Sequence, residues 1–438
     1  MKRIHAVFAL VVLESSSSFA PSSQARDRSS LVRNLKETRP NPSLYAAVDP
    51  LPQQEEASTL PSASTASSTV LPRPSLRRIQ RVEKFARLPV WPAWNGALIF
   101  IISRVFGMEV AAKLEDAIGG RVCPNFFDSS GVTSPFVMLV HHRHVFWKLD
   151  PLRYFQKSVI LPEGFPAHPH RGFTTVTYFL KGGFRHRDSM GVAQTYGAKQ
   201  DDYKHHTQWL FTGAGLLHEE MFDIPSSSWS SDQELYQLWL NVPSHYKLDA
   251  PQSFLLGEDE APRIVVSDTD NNKSETVVIS GSYQGQSSKA PSTMSPNVDI
   301  FHVMVQPGAT WSHTLNTKSQ QQTCILYLRT GSLSIDGTEV PVHHTVYLEP
   351  VGDLLEIKAD GKEGVDFMLL AGAPLNEAIA AQGSMVMNSE DQINQAYADY
   401  QRGSMGTPWD HKLSDEEWQA HVRQAPCRYT YQNKVSEE

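Results

Sequence analysis

Two short stretches carry the residue types best suited to chemistry: His168-Pro169-His170 and, further along, His218-Glu219-Glu220. In each, the outer two residues stand two positions apart. Side chains on a β-strand alternate faces, so residues i and i+2 point the same way. Two neighbouring strands with such pairs can aim three imidazoles and one carboxylate at a common point. That donor set suits a redox-active divalent metal such as Fe(II), with positions left open for substrate or O2. The spacing predicts a mononuclear site inside a β-barrel, with His168, His170, His218 and Glu220 as its ligands. Other divalent metals suit the same donors, and the Irving–Williams order means that affinity alone does not select among them.

Strands are what must position these residues, and the chain supplies them. From Val122 onward short β-prone runs alternate with turn residues: 137–140, 175–180 stopped by Gly182-Gly183, 208–211 before Gly213-Ala214-Gly215, and 235–242. A second series follows at 264–266, 276–279, 299–305, 324–328, 333–336, 346–348 and 367–370. Short strands at close spacing with glycine turns read as antiparallel barrels or sandwiches. The two series have similar length and rhythm. The chain divides into a leader (1–76), a helical extension (77–120), a first β domain (121–245), a second (246–375), and a C-terminal helix and tail (376–438). Residues 243–251 read as the passage between domains and 280–297 as a loop. Apolar residues at three- and four-residue spacing predict helix over 77–118, and Ser389-Glu390-Asp391-Gln392 opens a helix through Tyr400 as a capping box.

Composition narrows the function classes. The 438 residues carry a net charge of −8, against direct nucleic-acid binding, which needs clustered Lys and Arg. Three cysteines without CxxC spacing exclude a disulfide framework and a thiolate zinc site, and suit a reducing compartment. No apolar run reaches the roughly 20 residues of a membrane span. At the N-terminus Lys2 and Arg3 precede an apolar stretch at 6–13 and Ser18-Phe19-Ala20-Pro21, the layout of a signal peptide. A Ser/Arg-rich segment too polar to fold follows. The whole resembles the two-part presequence of algae with complex plastids, so plastid import is expected. Secretion and a cytoplasmic or nuclear location are the alternatives.

The longer motifs around both triplets resemble those of the pirin family within the cupin superfamily. They are Gly164-Phe165-Pro166-Ala167-His168-Pro169-His170-Arg171-Gly172-Phe173, then Gln208-Trp209 with Gly213 to Met221, and a third stretch from Leu370 through Asn388. The resemblance covers roughly residues 133–400. It implies a mainly β fold of two tandem cupin (jelly-roll) domains, with iron in the first and a metal-free second, and it places the ligands on His168, His170, His218 and Glu220. Two departures stand out. Thr174 occupies a position where the family usually has Glu, and 198–206 lacks the family's Pro-Gly-Asp turn, carrying Asp201, Asp202, His205 and His206 instead.

The expected activity is an Fe(II)-dependent dioxygenase of the quercetin 2,3-dioxygenase type, taking a flavonol-like aromatic substrate and O2. Glu220 serves as ligand and catalytic base. The alternative is a binding or transcription co-regulator module that responds to iron oxidation state without turnover, engaging a protein partner. Two barrels in one chain predict a monomer. His141-His142-Arg143-His144 reads as a strand end with solvated or supporting imidazoles. His186 reads as a group orienting others near the site, or as surface turn. Trp209, Phe173, Phe211 and Met221 line the cavity or fill core.

Overall fold

The computed structural model describes residues 75–90, 95–127, 133–155, 162–199, 203–291, 297–315 and 321–429. All but the end of the expected leader, together with Asp201 and Asp202, lies outside the described residues.

The first strand, β1 (Ile79–Lys84), corrects the expectation of helix from residue 77. Its apolar spacing fits a helix locally, but the segment pairs antiparallel with the distant residues 344–348, a long-range contact that local periodicity cannot see. After β2 (Leu88–Val90) the helical part of the extension begins. It is α1 (Asn95–Phe106) and α2 (Met108–Ile118), broken at Gly107, rather than one helix. As a packing element it does little: α1 buries only Asn95, and Phe100, Val105, Phe106 and Met108 are exposed.

The first barrel is built from β3 (Gly120–Phe126), β4 (Phe136–Trp147), β5 (Gly164–His170), β6 (Phe173–Lys181), β7 (Gly183–Asp188), β8 (Ala193–Gly197), β9 (Thr207–Phe211), β10 (Leu216–Phe222), β11 (Ser230–Asn241) and β12 (Gln252–Leu256). Seven strands form one sheet in the order β12-β9-β6-β11-β4-β3-β2, and four form the facing sheet, β5-β10-β7-β8. Because β12 pairs with β9, this barrel runs to Leu256, past the expected boundary at 245.

The second barrel repeats the plan. Its strands are β13 (Arg263–Ser267), β14 (Lys273–Ser280), a small hairpin of β15 (Ser282–Tyr283) and β16 (Gln286–Ser287), β17 (Val298–Val305), β18 (Thr310–Thr314), β19 (Thr323–Thr330), β20 (Leu333–Ile335), β21 (Thr338–Val340), β22 (His344–Leu348), β23 (Leu354–Ala359) and β24 (Val365–Gly372). The sheets are β1-β22-β19-β24-β17-β14-β13 and β18-β23-β20-β21. Two seven-plus-four jelly rolls in tandem, with flanking helices, make the fold mainly β as expected. The interior of the second barrel is filled by Phe301, Val303, Trp311, Leu326, Leu328, Leu355 and Phe367.

The barrels meet through their seven-stranded sheets. Val176, Tyr178, Trp209, Phe211, Tyr236 and Leu238 of one pack with Ile279, Ile300, Ile325, Tyr327 and Leu370 of the other. An ionic chain crosses this apolar layer. His141 bonds Tyr327 (3.0 Å) and Glu234 (2.9 Å); Arg329 donates to Glu234 (2.9 and 3.1 Å) and to Asp366 (2.8 Å); His302 bonds Asp366 (3.1 Å) and the Tyr178 hydroxyl (3.0 Å). Burial opposes ionisation of both carboxyls. Bonds from His141 and Arg329 still hold Glu234 well below the usual range, and His302 and Arg329 hold Asp366 down likewise.

After a short pair, β25 (Ala380–Gln382) and β26 (Met385–Met387), come α3 (Glu390–Gln401) and α4 (Asp415–Gln424). Ser389 caps α3 by accepting from the Gln392 amide, as predicted, but the Gln392 side chain reaches back to Asn388 instead of Ser389. The full reciprocal box belongs to α4, between Ser414 and Glu417, in a region read only as tail. Trp409, Trp418 and Val422 from this region pack with Leu217 of β10 and Ala167 of β5. The C-terminal helices therefore brace the outside of the two strands that carry the histidines.

Candidate metal centre

Strands β5 and β10 pair antiparallel with His218 opposite His168 and Leu216 opposite His170. Between His218 and Glu220 the register slips, so three residues of β5 span two of β10. Such a bulge re-aims side chains. Here it lets Phe165 and His168 both face inward, Phe165 against Phe184 and Phe222. Glycine is required at both ends of the motif. Gly164 has φ +145° and Gly172 φ +86°, and a Cβ on Gly172 would lie 2.1 Å from the Val386 carbonyl oxygen.

The three imidazoles converge. Ring centroids lie 4.4 Å apart for His168–His218, 4.7 Å for His168–His170 and 4.9 Å for His170–His218. One ligand atom from each falls within 4.8 Å of the others. The Nδ1–H of His168 donates to the Pro166 carbonyl (2.8 Å), which leaves Nε2 as the lone-pair nitrogen. His170 Nδ1 points at the Ser384 carbonyl (3.4 Å). Both nitrogens of His218 are buried without a hydrogen-bond partner among the described residues. A buried polar group left so costs about 1–3 kcal/mol, and a bound cation is the partner that three converging imidazoles suit. Burial pushes the His168 imidazole down to about 4 and drives His170 and His218 well below their usual range. All three are neutral at pH 7, the form that ligates.

Glu220 is placed differently from the expectation. It faces inward beside the histidines but is not part of their cluster. Its carboxylate is taken up by Gln237 Nε2 (2.9 Å) and Thr177 Oγ1 (3.4 Å), donors on the opposing sheet. Burial pushes this carboxyl up to about 7, while nearby His186 and the bonds from Gln237, Thr177 and Tyr196 pull the other way. His186 sits opposite Glu220 on β7, with its ring 5.4 Å from that of His218. Its Nε2 bonds Asp188 (3.1 Å) and its Nδ1 has no partner among the described residues. His186 thus belongs to the site's surroundings.

The frame is held from behind. Lys247, buried, donates to the Gly172 carbonyl (2.5 Å), Asn241 Oδ1 (2.5 Å) and the Val386 carbonyl (3.0 Å), and burial pushes its ammonium down to about 7. Arg171 joins the Ala214 carbonyl (2.5 Å) to Asp399 of α3 (2.8 Å) and the Tyr429 hydroxyl (2.9 Å). The turn after His170 is therefore tied to the opposite turn and to the C-terminal region.

Other expectations divide. Phe173 lies by the site, 5.2 Å from the His170 ring, and Trp239, which the sequence reading missed, lies 5.4 Å from it. Trp209 and Phe211 instead face the layer between barrels, and Met221 points outward. His141, His142 and His144 are buried in mid-strand, not solvated at its end. Thr177, Gln237 and Tyr196 were missed because strand alternation does not mark which polar inward residue meets Glu220. Thr174 is buried in β6 opposite Phe211 and Leu240.

Comparison with known proteins follows the same residues. The family model described as Pirin matches residues 121–240, and that described as Pirin C-terminal cupin domain matches 300–406. Pirin-1 of Arabidopsis thaliana is 31% identical over 312 residues, 70% of this chain and 96% of that protein. Human pirin is 32% identical over 264 residues, 59% of this chain and 83% of its own. A Pseudomonas aeruginosa protein provisionally named a quercetin 2,3-dioxygenase is 31% identical over 240 residues, 55% of this chain and 78% of that one. Among solved structures, a quercetin 2,3-dioxygenase from Acinetobacter baumannii superposes with a TM-score of 0.57 at 23% identity, over 76% of this chain and 99% of that one. With both family domains in place, one on each barrel, and a relative matched along almost its whole length, this chain belongs to the pirin family.

Proposed function

We propose that this protein is a metal-dependent dioxygenase of the quercetin 2,3-dioxygenase type, with Fe(II) as the working metal and a flavonol-like enolic aromatic as substrate. The convergence of His168, His170 and His218, with both His218 nitrogens unpartnered, carries the reading. The name carried by the Pseudomonas relative supports the reaction class. His168, His170 and His218 would hold the ion, with Glu220 as the fourth ligand. A redox-active divalent ion bound there supplies Lewis acidity and one-electron exchange with O2.

The chain's own residues do the rest. Phe173 and Trp239 offer aromatic surface beside His170 for a planar substrate. Glu220, whose carboxyl burial pushes up to about 7 in the metal-free chain, is the group placed to accept a proton from an enolic hydroxyl. Gln237 and Thr177 steady its carboxylate, which is buried. An oxygen electrode tests the reading. Fe(II)-loaded protein is expected to consume O2 when a flavonol is added, and no uptake with any flavonol or catechol would refute it.

We also propose that residues 1–80 direct plastid import, on the two-part layout of the leader. Fused to a fluorescent reporter in an alga with complex plastids, they should label the plastid; a cytosolic or nuclear signal would refute this.

A further inference from the structure

Strand β10 has a second face. His218 and Glu220 look into the barrel, while Leu217, Glu219 and Met221 look out, toward the C-terminal region. A cavity of about 500 Å³ opens there, between β10, β7 and the Pro162-Glu163 segment ahead of β5 on one side and residues 411–414 on the other. We propose that this cavity is a second ligand site, separate from the metal centre, for a small aromatic carboxylate that also carries a hydroxyl.

Three features point to that chemistry. The first is an acceptor without a donor. Glu219 lines the cavity and is almost wholly buried; Arg187 Nε takes its Oε1, but its Oε2 has no partner among the described residues. The other nitrogens of Arg187 are engaged elsewhere, with the carbonyls of Leu413 (2.9 Å) and His411 (3.2 Å) and with Asp415 (3.4 Å). A buried carboxylate oxygen without a donor is costly, and a ligand hydroxyl is a neutral donor that relieves it once the Glu219 carboxylate, closed off from the cavity as it stands, turns toward it. The second feature is cationic. Arg185 is largely exposed, with its nearest carboxylate, Asp415, at 3.7 Å, and the Lys412 ammonium makes no ion pair among the described residues. The opposing acid on the wall, Glu163, is already held by both arms of Arg153 (2.5 and 3.1 Å). An anion is therefore favoured at Arg185 and Lys412. The third is apolar wall between these poles, from Met221 and Leu413, which suits a ring.

Calorimetry on the full chain tests this, after chelator treatment so that the metal centre cannot take a phenol. The probes are 4-hydroxybenzoate, benzoate and phenol. The first is expected to bind, and the other two at least about tenfold more weakly, the usual worth of one satisfied buried polar group or charge pair. The double variant Arg185→Ala/Lys412→Ala changes two surface residues, so it should unfold as the parent does while losing about tenfold in affinity for 4-hydroxybenzoate. Glu219→Gln keeps an oxygen for Arg187 but places an amide NH2 where the orphan acceptor was. In that variant the preference for 4-hydroxybenzoate over benzoate should vanish. If Glu219→Gln does not fold, the double variant decides alone. Absence of binding by 4-hydroxybenzoate at millimolar concentration would overturn the proposal. Equal affinity for 4-hydroxybenzoate and benzoate, or undiminished affinity in the double variant, would overturn it equally.

Discussion

Glu220 is the residue on which chemistry and ligation divide. Its bonds to Gln237 and Thr177 hold the carboxylate beside the imidazole cluster, and in the metal-free chain burial raises its carboxyl to about 7 against the pull of those bonds. Glu220→Gln keeps the shape and the three histidines but removes the base. Bound metal should fall only modestly, while flavonol-dependent O2 uptake falls on the order of 10²-fold or more, the scale of a lost general base. Equal loss of metal and activity would mean that Glu220 works as ligand alone. Gln237→Leu should leave one carboxylate oxygen without its donor. Since that bond favours the ionised form, the acid limb of the pH–rate profile should move to higher pH. These roles were only partly legible in the sequence. The two triplets marked the histidines because i, i+2 spacing fixes a shared face, but where the carboxylate points depends on donors from β6 and β11, which no local pattern reveals.

At the scale of elements, the metal-bearing strands are held between the barrel interior and the C-terminal helices. Trp418 of α4 is fully buried against Leu217 and the other residues of that layer. Replacing it with alanine should cost about 3–5 kcal/mol, a typical loss for a buried Trp, read as a lower denaturant midpoint. Unchanged stability would show that α4 merely rests on the barrel. Helix α4 was missed although Ser414-Asp415-Glu416-Glu417 spells a capping box, because its ten residues carry few apolar positions and read as charged tail. The opposite error befell β1, whose Ile79 and Val82, with Phe85 just beyond it, fit helical spacing. Its partner, β22, lies more than two hundred residues away. Strands of the two barrels were legible wherever β-branched and aromatic runs ended in glycine turns. The fold's edges were not, because they are made by pairing between distant segments.

For the whole molecule, the ionic chain through Glu234, Arg329 and Asp366 makes the two barrels interdependent. Removing one member leaves the others charged and buried, so Glu234→Ala should destabilise by about 3–5 kcal/mol. Its thermal transition should fall for both barrels together. A drop confined to one barrel would contradict the interdependence. Acid should act in the same direction. His141, His142, His144, His168, His170, His206 and His218 are all shifted below the usual imidazole range, chiefly by burial. The unfolded chain therefore takes up protons first as pH falls, and stability is lost from about pH 6.5 toward 4. Glu220, shifted upward, works the other way across pH 4.5 to 7 in metal-free protein, but it is one group against seven. The metal-free thermal midpoint should thus drop steadily between pH 6.5 and 4.5; a flat profile would mean that these imidazoles are accessible to protons. The most direct measurement is metal content by mass spectrometry of protein purified under Fe(II). Stoichiometric metal is expected in the parent and near-complete loss in both His168→Ala and His218→Ala, with each variant still folded. Metal retained at the parental level in either variant would contradict it.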